Sequence, residues 1–315
     1  MRLAHGASVA NDVVLASNGE DTIQSISWSP VANHVAAASW DSKVRIYNVA
    51  SSSSARGVSA LLAEGPIFSC DWAQKFKDGK TVIAGGADKK IRIMDASTGQ
   101  QREVVGSHDA PVRGVRFANV PGTQGPIVMS GSWDKTVKIW DIRKRGVAVA
   151  TLHCGERVYS LDAKAHLAVV ATADLFHPPR RPQESNVDNT SKVTKIWAVN
   201  DVHFHPLYDA MFATAGSDGS YSFWDRIAHN RLRGYPPTPP PDATGSSDKY
   251  PPAITAASFN CDGSLFAYAL GYDWSRGCVG NTPRIETKIM LHTLLEDEMR
   301  RKPASRLIRD PDRDL

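Results

Sequence analysis

The sequence predicts an all-β propeller, a ring of four-stranded sheets stacked radially about a common axis. Three observations predict it. Four similar segments recur along the chain: AAASWDSKVRIYNV, VIAGGADKKIRIMD, VMSGSWDKTVKIWD and ATAGSDGSYSFWD. Each alternates with the period of a strand, as in Val44 and Ile46 about Arg45 or Val137 and Ile139 about Lys138. The closing residues of the first three, Tyr47, Met94 and Trp140, stand 47 and 46 positions apart. That spacing suits one four-stranded blade per repeat, slightly above the usual ~40–45 residues.

The elements follow in order. ASVANDVVLA near the N-terminus supplies one strand, and IETKIMLH near the C-terminus supplies another. A propeller closes by placing strands from both ends in one sheet, which removes a free edge, and that closure is expected here. Ahead of the four copies stand the matching strands IQSISWSP, IFSCDW, VRGVRFAN and DVHFHP. A fifth start, ITAASFNCDG, runs into LFAYALGYDWS. Asp41, Asp88, Asp134 and Asp218 recur at the tight turn inside each copy. Gly85, Gly86, Ser130, Gly131 and Gly216 are small enough to admit a neighbouring sheet. The Trp-Asp endings make this a WD40-type propeller over residues 8–294. A proline-rich loop spans 236–252, an irregular insertion 175–190, and a charged C-terminal tail 295–315.

Composition narrows the function. A net charge of +4 with no basic block gives no nucleic-acid arm, and no apolar run is long enough to span a membrane. Cys70, Cys154, Cys261 and Cys278 lie far apart with no CxxC pair and no histidine at ligand spacing. Neither zinc nor a disulfide framework is indicated, and no cofactor is expected. No phosphate loop or nucleophile elbow is visible, so an enzyme is not expected. His108, Ser130 or Ser132, Asp134 and Trp140 could form a hydrogen-bonded chain inside one blade. The same residue types could be written as a hydrolytic triad, but satisfying buried polar groups explains them better. Trp140 and Trp224 are expected in the core.

The pattern breaks at ATADLFHPPRRPQESNVDNTSKVTKIWAVNDVHFHP, residues 171–206. VYSLDAKAHLAVVATAD reads as the first two strands of a fourth blade. Trp197 to Trp224 is only 27 residues, too few for what should follow, so about one blade is missing. A six-bladed variant, a seven-position ring with an incomplete wall, and a mispredicted or alternatively spliced chain would each account for it. The last is favoured, because an unpaired propeller edge exposes backbone groups.

SHDAPVRGVRF, VMSGSWDKTVKIWDIR, HLAVVATAD, AVNDVHFHPLYDAMFATAGSDGSYSFWD and SFNCDGSLFAYALGYDWSRG together resemble the mRNA export factor family known as Rae1 or Gle2. YDWSRG, residues 272–277, separates this resemblance from the related checkpoint propeller Bub3. The resemblance implies a seven-bladed, non-enzymatic, monomeric propeller within a larger complex. It implies binding of the GLEBS segment of an FG nucleoporin, support of poly(A) mRNA export, weak RNA contact, and residence in the nucleus and at the nuclear pore with cytoplasmic shuttling. The alternative is a scaffold in a mitotic checkpoint or ubiquitin-ligase assembly. Candidate partner-binding residues are Trp40 and Trp133 beside the turns, Lys43, Lys89 and Lys135 at the turns, and Arg113, Tyr272, Trp274 and Arg276. Against this, turn lysines serve equally as solvated charges, and the tryptophans as packing between blades.

Overall fold

The computed structural model describes residues 12–15, 21–51, 54–73, 79–118, 127–144, 146–164, 167–173, 199–208, 210–237, 252–274 and 286–299. Five four-stranded antiparallel sheets and one two-stranded sheet are formed among them. The first sheet holds β2 (Ile23–Trp28), β3 (His34–Ser39), β4 (Lys43–Ser51) and β5 (Ser54–Leu62). The second holds β6 (Ile67–Trp72), β7 (Thr81–Gly86), β8 (Lys90–Asp95) and β9 (Gln101–Ser107). The third holds β10 (Val112–Ala118), β11 (Ile127–Ser132), β12 (Thr136–Asp141) and β13 (Ala148–His153). β14 (Val158–Lys164) and β15 (Leu167–Thr172) make the two-stranded sheet. The next holds β16 (Val199–Phe204), β17 (Met211–Gly216), β18 (Tyr221–Asp225) and β19 (Asn230–Tyr235).

The last sheet joins both ends of the described chain. Its order is β1-β22-β21-β20, from β20 (Ala253–Phe259), β21 (Leu265–Gly271), β22 (Lys288–Thr293) and β1 (Val13–Val14). The expected closure is therefore met: Val13 lies opposite Leu291 and Val14 opposite Met290. A short helix, α1 (Glu296–Met299), follows β22. Just ahead of β1, Asp12 reaches Tyr268 (OH to Oδ2, 2.6 Å), Tyr221 (3.1 Å) and His292. Glu298 of α1 accepts from the Tyr235 hydroxyl and the Leu295 backbone N–H.

The core lies between sheets, where each inner strand packs on its neighbour: β20 on β2, β2 on β6, β6 on β10, β10 on β14, and β16 on β20. A repeated lock stitches these junctions. The third residue of one inner strand accepts from a backbone N–H in the next: Val115 to Ser69 Oγ (3.2 Å) and Ala257 to Asp201 Oδ2 (2.7 Å). The indoles of Trp28 and Trp72 donate to the carbonyls of Ser258 and Ser27 in the sheets before them. Of the small residues, Gly85 and Gly131 serve the junctions, since a Cβ there would collide with Val112 and Val158 of the following sheet. Gly86 and Gly216 are instead constrained within their own sheets, by Pro66 and Asp218.

Among the described residues no comparable packing joins β14 or β15 to β16 or β17. Both sides of this break expose apolar side chains, with Tyr159 at 44% and Val169 at 60% on one, and Val202 at 51% and Phe204 at 63% on the other. The expectation for Trp224 is corrected accordingly. Trp140 lies against Gly106 of the preceding sheet and is buried. Trp224 holds the equivalent place but is half-buried, stacked only on Phe212 of its own sheet. Among the described residues, the sheet that precedes its own has only the two strands β14 and β15. The irregular stretch 175–190 falls outside the described residues, as do most of the proline-rich loop and of the C-terminal tail.

Candidate partner-binding rim

The inner strand of every sheet carries a one-residue register shift near its start. The extra residues are Gln24, Phe68, Arg113, Tyr159, Asn200 and Thr255. Such a bulge frees one residue from the ladder and re-aims its side chain. In four of the sheets the residue just after the second strand is drawn to the same end by a backbone bond to the segment leading into the inner strand. Trp40 N–H donates to Thr22 O (2.9 Å), Ala87 to Pro66 O (2.8 Å), Trp133 to Pro111 O (3.0 Å) and Ala173 to Arg157 O (2.9 Å). Bulge residues and turn residues thus form one rim.

Aromatic rings run continuously along it. Tyr272 meets Trp274 edge-on at 5.3 Å between centroids, and Trp274 stacks on Trp40 at 6.0 Å. Trp40 then meets Phe68 at 5.1 Å, Phe68 meets Trp133 at 5.8 Å, and Trp133 meets Tyr159 at 6.1 Å. The string crosses the last, first, second, third and two-stranded sheets and ends beside the break. Trp40 is held by its indole N–H on Gln24 Oε1 (3.0 Å), and Trp274 by Thr22 Oγ1 (3.0 Å). The Trp133 indole N–H is buried with no hydrogen-bond partner. Tyr272 is only 7% exposed, so it braces Trp274 rather than presenting its own face. Phe68 and Tyr159 escape the sequence reading because they belong to no turn motif; their signal is position, the extra residue after the first apolar residue of an inner strand.

The cations divide. Arg113 stands among the rings, half-buried, with Nη1 at 3.5 Å from Phe68 O. Burial pulls its pKa down although Asp201 opposes the shift. Lys89 and Lys135 sit at the left-handed turn position, with φ of 69° and 66°, and both are exposed. Lys43 stands one residue later, its counterpart at that position being Ser42 (φ 68°). Lys135 Nζ is engaged with Glu156 Oε1 at 2.7 Å. Arg276 lies outside the described residues.

His108, Ser130, Asp134 and Trp140 come together in the third sheet. The Trp140 indole donates to Ser130 Oγ (2.8 Å), which lies 2.7 Å from His108 Nε2, while His108 Nδ1 lies 2.7 Å from Asp134 Oδ2. Since the Asp134 carboxylate can only accept, Nδ1–H donates to it, and Nε2 of the neutral ring accepts from the Ser130 hydroxyl, whose oxygen accepts from the indole. Burial depresses the His108 pKa against the pull of Asp134, which suits a neutral imidazole. Ser132 is separate: its hydroxyl donates to Ala110 O and accepts from Asp134 N–H. This has the connectivity of a triad but not the access, because Ser130 is 0% exposed. Of the other turn aspartates, Asp41 pairs with Arg45 at 2.6 Å and Asp88 with Arg92, whereas Asp218 accepts from the backbone N–H and hydroxyl of Ser220. All four turn aspartates are thus engaged locally, which is architecture.

The WD domain, G-beta repeat family matches residues 12–48 and 99–141. The chain is 38% identical to WD40 repeat protein poxJ of Penicillium oxalicum, covering 93% of this chain and 96% of that protein. It is 36% identical to mRNA export factor GLE2 of Chaetomium thermophilum, covering 93% of each. It is 35% identical to the Poly(A)+ RNA export protein of Schizosaccharomyces pombe, again covering 93% of each. The match to poxJ extends over 350 aligned positions, more than the 315 residues of the whole chain, so part of the relative has no counterpart here. In fold, the chain matches the solved structure of U3-55K with a TM-score of 0.58 at 14% identity, covering 92% of this chain and 100% of that one.

Proposed function

From the premise that this chain belongs to the mRNA export factor family of WD-repeat propellers, Rae1/Gle2, we propose that it is a non-enzymatic adaptor at the nuclear pore. It captures a GLEBS-type segment of an FG nucleoporin and supports poly(A) mRNA export, at the nuclear envelope and in transit to the cytoplasm. The observation that carries this reading is the part-exposed rings Trp274, Trp40, Trp133 and Tyr159, linked and backed by the buried Tyr272 and Phe68, with Arg113 among them. Rigid aromatic faces with a basic group beside them suit a peptide carrying apolar anchors and acidic residues. A non-enzymatic reading is supported by the triad-like group His108–Ser130–Asp134, whose serine is sealed inside the third sheet. RNA contact, on this reading, is a weak and salt-sensitive use of the exposed Lys89 and its neighbours.

Titration calorimetry of the folded chain with a GLEBS peptide tests the proposal. One-to-one binding is expected. A protein that melts cooperatively yet gives no heat with the peptide would overturn it.

A further inference from the structure

We propose that α1 is a latch held by the second ring proton of His292, so that a neutral imidazole loosens the helix while β1 stays in place. None of the residues involved belongs to the rim. His292 of β22 stands between Asp12 and Glu298, with Nδ1 2.7 Å from Asp12 Oδ1 and Nε2 3.1 Å from Glu298 Oε2. Carboxylates only accept, so the ring must carry both protons to make the two bonds at once. Burial opposes that charge, but the hydrogen bonds and charges of Asp12 and Glu298 outweigh it and raise the His292 pKa to about 9. Tyrosines from three further strands complete the cluster: Tyr221 of β18 and Tyr268 of β21 donate to Asp12, and Tyr235 of β19 donates to Glu298. Burial and the neighbouring carboxylates push all three phenols upward, so His292 is the donor that loses its proton first as pH rises. Phe223 adds only an apolar ring, and Arg233 reaches α1 through the exposed Asp297 at 2.8 Å.

Deprotonation falls unequally on the two ends. Asp12 makes the shorter contact and keeps two tyrosine hydroxyls. Beyond it β1 is anchored by Leu15, which is 1% exposed and donates its N–H to Ile289 O (2.9 Å). The proton that remains therefore sits on Nδ1, and Nε2 turns a lone pair toward Glu298. α1 has little else to hold it. Its four residues make a single turn, too short to persist by itself, and Glu298 is its one buried residue. Glu298 Oε2 also accepts from the Leu295 N–H (3.0 Å), so the lone pair faces the very oxygen that caps the helix start. Loosening α1 returns the Glu298 charge to water and lifts Met299 from the apolar cluster of Tyr235, Met290 and Leu294. The latch is fully held below 6.5, the ordinary histidine value, and is lost as pH rises through about 9.

Rapid-quench hydrogen exchange of the full chain tests it, read as protection factors so that the intrinsic effect of pH cancels. The Leu295 and Glu298 amides report α1, and the Leu15 amide reports β1. From about pH 6 to about pH 9.5, protection of the α1 amides should fall about tenfold or more, with Leu15 changing far less. Glu298→Gln offers an amide that accepts from a charged ring and donates to a neutral one, so it should flatten the response. Equal α1 protection at both pH values overturns the proposal, as does a loss at Leu15 as large as that at α1. So does a Glu298→Gln protein that still responds like the wild type. Should that variant fail to fold, the wild-type comparison of α1 with Leu15 decides alone.

Discussion

Asp12 Oδ1 lies 2.7 Å from His292 Nδ1, joining a residue ahead of the first strand to one in the last across 280 positions of sequence. Glu298 holds the other ring nitrogen at 3.1 Å, so one imidazole sits between two buried carboxylates. Burial alone would lower the His292 pKa, but the hydrogen bonds and charges of Asp12 and Glu298 outweigh it and raise it to about 9. The same contacts hold the Glu298 pKa below its ordinary value against the effect of burial.

Stability should therefore depend on pH in a stated direction. The raised His292 pKa gives a contribution that is complete below about 6.5, the unfolded value, and is lost as pH rises through about 9. The lowered Glu298 pKa gives one that is present above 4.5 and is lost as pH falls. Urea midpoints should form a plateau with a falling alkaline limb worth about 3 kcal/mol. His292→Gln should be less stable at neutral pH and should flatten that limb.

Trp40→Ala and Trp133→Ala should each weaken capture of the nucleoporin peptide by about tenfold or more, the scale of a buried aromatic anchor. Their melting temperatures should fall far less than their affinities. Lys135→Glu should weaken capture as well, since it loses its pairing with Glu156 and reverses a rim charge. Calorimetry that finds all three at wild-type affinity removes the rim assignment.

Ser130→Ala leaves the Trp140 indole and His108 Nε2 without their shared partner inside the third sheet. A loss of about 2 kcal/mol in urea unfolding is expected. Peptide affinity at low denaturant should be unchanged, which separates this internal chain from the rim.

Gly131→Ala should cost about 1–3 kcal/mol through overpacking, because the added carbon falls 2.5 Å from Val158 Cγ1 at a junction between sheets. Pairing it with Val158→Ala should recover part of the loss. Without that recovery, the close approach at this junction is not the cause.

The repeat was legible because strand alternation and a turn Asp are local signals, readable within a dozen residues. Closure was legible too, since ASVANDVVLA and IETKIMLH read as strands near the two ends, which a propeller places in one sheet. The rim was only half legible. Trp40 and Trp133 adjoin the turn motif, whereas Phe68 and Tyr159 reach the rim through bulges, which interrupt the alternation used to read a strand. Asp12, His292 and Glu298 meet only because the ring returns to its start, and nothing local marks them. Trp224 misled for the opposite reason: its motif is intact, but among the described residues no four-stranded sheet stands before it to cover it.

The bulges have one further consequence. Every described sheet places a single off-ladder position at the rim, at residues 24, 68, 113, 159, 200 and 255, while the pairing beyond each of them resumes its register. Three of these side chains also bind the neighbouring sheet's backbone, Thr255 to Ile23 O, Asn200 to Ile254 O and Arg113 to Phe68 O, so a change at any of them alters a seam together with the rim.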